Sequence, residues 1–174
     1  GNTFYGNLSG QYAADNASTQ FNTGIGKWAL GAFDTYGELD GALYNVAVGG
    51  LSQAYRTTGD YNTSIGQASM QSHTSSSWNT SVGYQAGMGV VVEEVGGNNY
   101  NTYIGANSGW YQTGQSGEDT YNTAVGYSSM YTSTGFYTTA IGAHSQGSFI
   151  AAAGCNACTS VGYKTLYNAG TGGV

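Results

Sequence analysis

Tyr121-Asn122-Thr123-Ala124-Val125-Gly126-Tyr127-Ser128-Ser129-Met130 is the stretch on which the fold turns. Read as aromatic-Asn-Thr-x-(Ile or Val)-Gly-x-x-small-x, it returns from end to end of the 174 residues. Clear copies begin at Phe21, Tyr44, Tyr61, Trp78, Tyr100, Tyr121 and Tyr137. Two degenerate copies flank them: one carries Tyr5 at the aliphatic position, and the other has Cys158 where Asn belongs. The motif glycines are Gly6, Gly26, Gly49, Gly66, Gly83, Gly105, Gly126, Gly142 and Gly162. Their spacing is shortest from Gly126 to Gly142 and longest from Gly26 to Gly49. Self-similarity with a period of about 20 residues is the mark of a solenoid, in which each repeat buries its face only against its neighbours. The sequence therefore predicts an all-β chain: a parallel β-solenoid or β-roll of about nine coils, forming a single domain over residues 1–174. Variation in length falls between the copies, so it belongs to loops on one side of each coil.

Within a copy, a period of two sets Tyr121, Thr123 and Val125 on one side of the chain and Asn122 and Ala124 on the other. The aliphatic column reads Ile25, Val48, Ile65, Val82, Ile104, Val125, Ile141 and Val161, β-branched throughout, and is expected to form the core. The glycine after it allows a tight corner. A small residue three places on (Ser9, Ala29, Ser52, Ser69, Ala86, Ser108, Ser129, Ser145, Thr165) is expected to open a second strand. The Asn column, Asn22, Asn45, Asn62, Asn79, Asn101 and Asn122, preceded by Asn2, predicts a ladder of side-chain amides bonded from coil to coil. The aromatic column has two readings: a structural stack along one edge, or an exposed glycan-binding ladder.

The fourth motif position carries Gly24, Ala47, Ser64, Ser81, Ala124, Ala140 and Ser160, and no charge. Small side chains let another surface come close, so this column is expected to be an assembly face, packed on a neighbouring subunit or on another part of the chain. No cap is visible on either terminal copy. Stacking of one copy on the next through Tyr5 and Val161 is therefore expected, and such a head-to-tail contact propagates into a filament. Because the chain opens at Gly1 inside a copy, it is read as processed or as a segment of something longer.

Charged residues make up 7% of the chain, and Lys27, Arg56 and Lys164 are its three basic residues against a net charge of −6. With no basic stripe to neutralise phosphates, a nucleic-acid partner is not expected. No run of 18 apolar residues is present, so no membrane insertion is expected. Cys155 and Cys158 are the candidate disulfide; the open alternatives are free thiols or a zinc site, which would need two further ligands. A bridge would suit an oxidising, extracellular setting.

Chemistry beyond the repeat is sparse. His73 and His144 fall in different copies at different offsets, and His73 reads as loop decoration. The many Gly-x-x-Ser strings arise from the repeat and are not nucleophile elbows. The insert Phe33–Asp40 carries three carboxylates without the spacing of a calcium loop. Met88–Val95 suggests an extra edge strand or docking patch, and Ser148–Ala153 a helical turn or contact patch. No metal ligands, catalytic residues or cofactors are assigned, and the chain is read as non-enzymatic. Asn7, Asn16, Asn62 and Asn79 head glycosylation sequons, two of them inside the Asn column. An ice-binding face on the Thr column is disfavoured here, because Thr shares the side of Ile and Val.

At Tyr121–Met130 the chain resembles the Asn-Thr-Ala-Val-Gly-Tyr repeats of phage and viral tail fibres, and it is similar to the YadA-like head repeats of trimeric autotransporter adhesins. That resemblance, carried through nine copies, implies a β-solenoid or β-roll, often trimeric, in an extracellular stalk, fibre or adhesive head. The expected function is a structural block of an extracellular fibre or filament, a cell-surface appendage or virion fibre, with copies of itself as partners. The alternative is a segment that binds a cell-surface receptor or glycan.

Overall fold

The structure, a computed structural model, describes residues 1–11, 19–31, 41–55, 58–89, 99–112, 119–133, 135–147 and 156–167. The insert 33–40, residues 90–95 of the run 88–95, the patch 148–153, Asn16, Arg56 and Cys155 lie outside the described residues. Each coil gives one short strand to a nine-stranded parallel sheet: β1 (Thr3–Tyr5), β2 (Thr23–Ile25), β3 (Val46–Val48), β4 (Thr63–Ile65), β5 (Thr80–Val82), β6 (Thr102–Ile104), β8 (Thr123–Val125), β10 (Thr139–Ile141) and β11 (Thr159–Val161). A second sheet pairs only β7 (Tyr111–Gln112) with β9 (Thr132–Ser133). The chain is thus a parallel β-solenoid, and among the described residues it has no helix. Register never slips: Thr63 faces Thr80, Ser64 faces Ser81, Ile65 faces Val82, and the same triplet matches along the rod. At about 4.8 Å per strand, nine strands span about 40 Å.

The motif glycine has two reasons to be glycine. Its φ lies between +124° and +138° in every copy, a region side chains rarely adopt. A Cβ on Gly66 would also sit 2.3 Å from the Gly83 carbonyl oxygen, because successive corners nest on each other.

The expected second strand does not form along most of the rod. After the glycine, alternate residues turn left-handed, Ala68 at φ 55° and Met70 at φ 49° among them. The N–H groups of these alternate residues then point in opposite directions along the axis. Ala68 N–H donates back to Gly50 O at 2.9 Å, and Met70 N–H donates forward to Ala86 O at 3.0 Å. Every such bond joins two coils, which offsets the roughly 1–2 kcal/mol that a left-handed L-residue costs.

The core is the reverse of the expectation. Ile25, Ile65, Ile104 and Ile141 are all about 41–42% exposed, Val161 is 63% exposed, and Val48, Val82 and Val125 are half-buried. The aliphatic column faces out, side by side with the Thr column. The residues between them face in: Gly24, Ala47, Ser64, Ser81, Ala124, Ala140 and Ser160 are buried. They are not a face for a neighbouring subunit; the surface they admit is the opposite wall of the solenoid, in their own coil and the one before it. The reason is width. Each coil is a flattened loop whose two walls nearly touch, and β-branched side chains on both would not fit. β-branching favours the pleated strand surface on either face, so the column's chemistry did not mark burial.

Volume is instead shared between the strand centre and the residue four places after the motif glycine. Gly24 pairs with Leu30, Ala47 with Gln53, Ser64 with Met70, Ala124 with Met130 and Ala140 with Gln146, small against large. Where the strand centre is large, the order inverts. A Cβ on Gly10 would stand 2.5 Å from the Phe4 ring, and one on Gly109 would stand 2.4 Å from the Tyr103 ring. Gly87 makes room as well, 2.7 Å from the same Tyr103 ring, so Tyr103 occupies space from two adjacent coils. It is fully buried and clusters with Ala86, Ala124, Met130 and Ala140. Hydroxyls of the small column close the interior: Ser108 Oγ donates to Ala124 O at 2.9 Å, and Ser129 Oγ to Ala140 O at 2.9 Å.

Candidate functional site

Three rows run along the rod and meet at its aromatic edge. The first is the amide ladder. Asn45 Oδ1 accepts the Asn62 backbone N–H and its Nδ2, both at 2.9 Å. Asn62 Oδ1 does the same for Asn79 at 3.0 and 3.2 Å, and Asn79 Oδ1 for Asn101 at 2.8 and 3.1 Å. The row begins at Asn2, which accepts from Asn22, and passes through Asn122 to the Thr138 N–H. Three of the amides also clamp the returning loop: Asn22 Nδ2 donates to Ala42 O, Asn62 Nδ2 to Ser76 O and Asn122 Nδ2 to Gly135 O, at 2.8–3.0 Å. With Asn62 and Asn79 buried in this row, their sequons are not presented to solvent.

The second row was missed in the sequence. Before Tyr61, Trp78 and Tyr100, and again before Ala157, a polar side chain supplies an acceptor to the coil before it. Asp60 Oδ1 takes the Leu43 N–H at 2.8 Å, Ser77 Oγ takes the Asp60 N–H at 3.0 Å, and Asn99 Oδ1 takes the Ser77 N–H at 2.7 Å. Further on, Asn156 Oδ1 takes the Phe136 N–H at 3.1 Å. The signal was a short polar side chain immediately ahead of the aromatic at Asp60, Ser77 and Asn99, and ahead of Ala157 at Asn156.

The third row is the aromatic column, which is both stacked and exposed. Phe21, Tyr44, Tyr61, Trp78, Tyr100, Tyr121 and Tyr137 stack face to face, with centroids 4.1–6.2 Å apart and planes within 16°. All seven are also exposed, Tyr137 most at 61%. Stacking hides ring faces and leaves edges to solvent, so along most of the row no ring face is open to a ligand. The seven residues share φ between 49° and 62°, which aims each ring along the edge.

The row stops at Tyr137. The next station is Ala157, held in the same left-handed conformation (φ 58°) by the same backbone bond, its N–H donating to Phe136 O at 2.9 Å. Beside this step lies a cavity of about 500 Å³ whose described lining is Asp119, Tyr121, Phe136, Tyr137 and Asn156. Asp119 is fixed from two sides: Asn99 Nδ2 donates to Oδ1 at 2.9 Å and the Tyr121 hydroxyl to Oδ2 at 3.2 Å. Desolvation, and then the Asp119 carboxylate, hold the Tyr121 phenol above its ordinary value.

The other singled-out residues lie apart from this step. Cys158 is disulfide-bonded, and Cys155, the other cysteine of the chain, lies outside the described residues. His73 is not loop decoration: it is buried, with Nδ1 3.0 Å from Ser76 Oγ and Gly89 packed against its ring. His144 meets Tyr127, Tyr163 and Tyr167 edge-on, and Lys164 Nζ lies over the Tyr163 and Tyr167 rings at 5.3 and 5.5 Å. Tyr5 and Val161 sit at opposite ends of the sheet, 77% and 63% exposed. Among the described residues no three His, Cys, Asp or Glu side chains gather as a metal site, and no helix is long and apolar enough to cross a membrane. Compared with protein-family models, with curated proteins and with solved structures, the chain matches none.

Proposed function

We propose that the chain is a structural segment of an extracellular fibre: a stiff, non-enzymatic rod that associates with copies of itself in a filament or trimer. The observation that carries this reading is the continuity of the rows from coil to coil. Between the coils of Tyr61 and Trp78, six backbone bonds cross one interface: Thr63 to Asn79, Gly83 to Ile65, Gln85 to Gln67, Met70 to Ala86, Ser72 to Met88 and Trp78 to Asp60. At about 1 kcal/mol net each, they contribute on the order of 6 kcal/mol to that interface before the amides and rings are added. An axial pull loads all of them together, which suits a load-bearing shaft. The disulfide at Cys158 supports an oxidising compartment.

The outward Thr and Ile/Val columns are the surface on which such copies would meet. Three residues wide at about 3.3 Å each, and about 40 Å long, the sheet face measures about 400 Å². That is half of the roughly 800 Å² per partner that a stable interface buries. The lateral contact must therefore extend beyond the sheet, onto the aromatic edge or onto Tyr84, Tyr127 and Tyr163, which are all exposed. Negative-stain microscopy with sedimentation velocity tests this. Elongated particles larger than a single rod are expected, and Ile65→Lys with Ile104→Lys should return them to single folded rods. A monomer at high concentration overturns the proposal.

One second reading draws on the same face. The reason for disfavouring an ice-binding surface was that Thr shares the side of Ile and Val, and that side faces water. Flat ranks of hydroxyl and methyl groups repeating about every 4.8 Å could order a water lattice. Thermal hysteresis tests it, and none is expected if neighbouring copies cover the columns.

A further inference from the structure

We propose that the step at the end of the aromatic row is a binding site for one neutral hexopyranose unit of a glycan, seated on the ring face of Tyr137. Tyr121 covers one face of Tyr137 at 5.3 Å, and the station that would cover the other holds the methyl group of Ala157. A ring is therefore missing from the row at this point, and the cavity beside it is about 500 Å³, within the roughly 300–1,000 Å³ of small-ligand sites.

The polar lining suits a sugar. Asp119 offers about four lone-pair sites, of which Asn99 and the Tyr121 hydroxyl take two, so its carboxylate is held in place with capacity left for sugar hydroxyls. Asn156 has its Oδ1 turned to the Phe136 N–H, which leaves the amide NH₂ as the donor for a ring or glycosidic oxygen. An aromatic ring, a charged acceptor and an amide donor lining one cavity match a pyranose, whose C–H groups line one face and whose hydroxyls ring its rim. An ammonium ligand fits less well, since it needs several ring faces around it, and the parallel rings of Tyr121 and Tyr137 offer one. An acidic sugar would meet Asp119 and a chain of net charge −6.

The site does not depend on the fibre reading, and its test runs on the isolated rod. A printed glycan array, followed by titration with a neutral disaccharide (lactose or cellobiose), is expected to show binding. Tyr137→Ala should weaken the titrated affinity by tenfold or more, and Asp119→Asn by several-fold. The decisive variant is Ala157→Trp. Aromatic residues already occupy the same backbone conformation at Phe21 through Tyr137, so the substitution extends the row, covers the Tyr137 face and should abolish binding with the circular-dichroism spectrum unchanged. Silence across the array with wild-type protein overturns the proposal. So does binding that survives Ala157→Trp, or titration by choline chloride tighter than by the disaccharide.

Discussion

Tyr103 and Gly109 form a pair whose energetics can be worked from the packing. Tyr103 is fully buried and is the largest fully buried side chain among the described residues. Truncation to Ala removes a buried ring, and such changes cost about 3–5 kcal/mol. Gly109→Met alone should be as damaging, because its Cβ would already stand 2.4 Å from the Tyr103 ring, with the rest of the side chain still to place. Together the two changes rebuild an arrangement the chain uses elsewhere. Ser64 with Met70 and Ala124 with Met130 put a small strand centre opposite a methionine. Backbone strain does not forbid it: Gly109 has φ 59°, and Met70 and Met130 carry side chains at φ 49°. The double variant should therefore recover most of the loss, with a coupling energy of at least about 2 kcal/mol, near the upper part of the range for contacting residues. Urea unfolding of the four proteins, followed by far-UV circular dichroism with a common slope, measures the coupling. If the double variant is as unstable as the sum of the single ones, volume sharing between the two walls is not what sets the interior.

Four further outcomes follow from the same geometry. Ala124→Asp places an unpaired charge in the interior and should cost several kcal/mol, whereas Val125→Asp, one residue on but half-buried on the outer face, should cost under about 1 kcal/mol by chemical denaturation. Gln146 is fully buried, and neither atom of its amide has a hydrogen-bond partner. Gln146→Met should raise stability by about 1–2 kcal/mol, since Met70 and Met130 fill the equivalent stations, and an unchanged or lower midpoint would show that the amide is satisfied after all. Asn62→Ala removes the acceptor for Asn79 and the clamp on Ser76, and it should cost about 3 kcal/mol, with amide exchange quickening in the coils of Tyr44 to Trp78 before the distant ones. Cys158→Ser should loosen the last coil alone; intact-mass measurement of the unreduced wild type should show the loss of about two protons, and a mass equal to the dithiol would contradict the bridge.

Tyr103→Phe isolates the cost of one hydroxyl. Burial pushes the phenol above the ordinary tyrosine value, and the nearby Asn122 side chain offsets part of that push. The hydroxyl makes no hydrogen bond of ordinary geometry. Removing it leaves the ring packing intact, so stability should rise by about 1 kcal/mol, and a fall would mean that Asn122 satisfies it.

The period, the strand positions and the Asn row were legible because each is a one-dimensional pattern. A strand once per repeat, a corner that only glycine fits and an amide that must find a partner are visible without knowing which way the chain faces. Facing was not legible from β-branching. Ile65 and Val125 satisfy strand propensity equally on either face, and what decides between faces is the distance to the other wall, which no single copy states. The information was nevertheless present across two columns: a large Phe4 goes with Gly10, a large Tyr103 with Gly109, and a small Ser64 with Met70. A column whose volume is answered, past the corner of the same copy, by an opposite volume must touch it, and a column that varies freely between Ile and Val need not. The candidate sugar site hid for a different reason. It is made by a departure from the pattern, Ala157 at an aromatic station, and the degenerate last copy, where Cys158 also displaces Asn, drew attention to the cysteine instead. In a repeat protein the regular positions build the scaffold, so a ligand site is best sought where one copy breaks rank and its neighbours do not compensate. Gly87 and Gly109 compensate for Tyr103 by giving up their side chains, whereas no described ring fills the space left at Ala157.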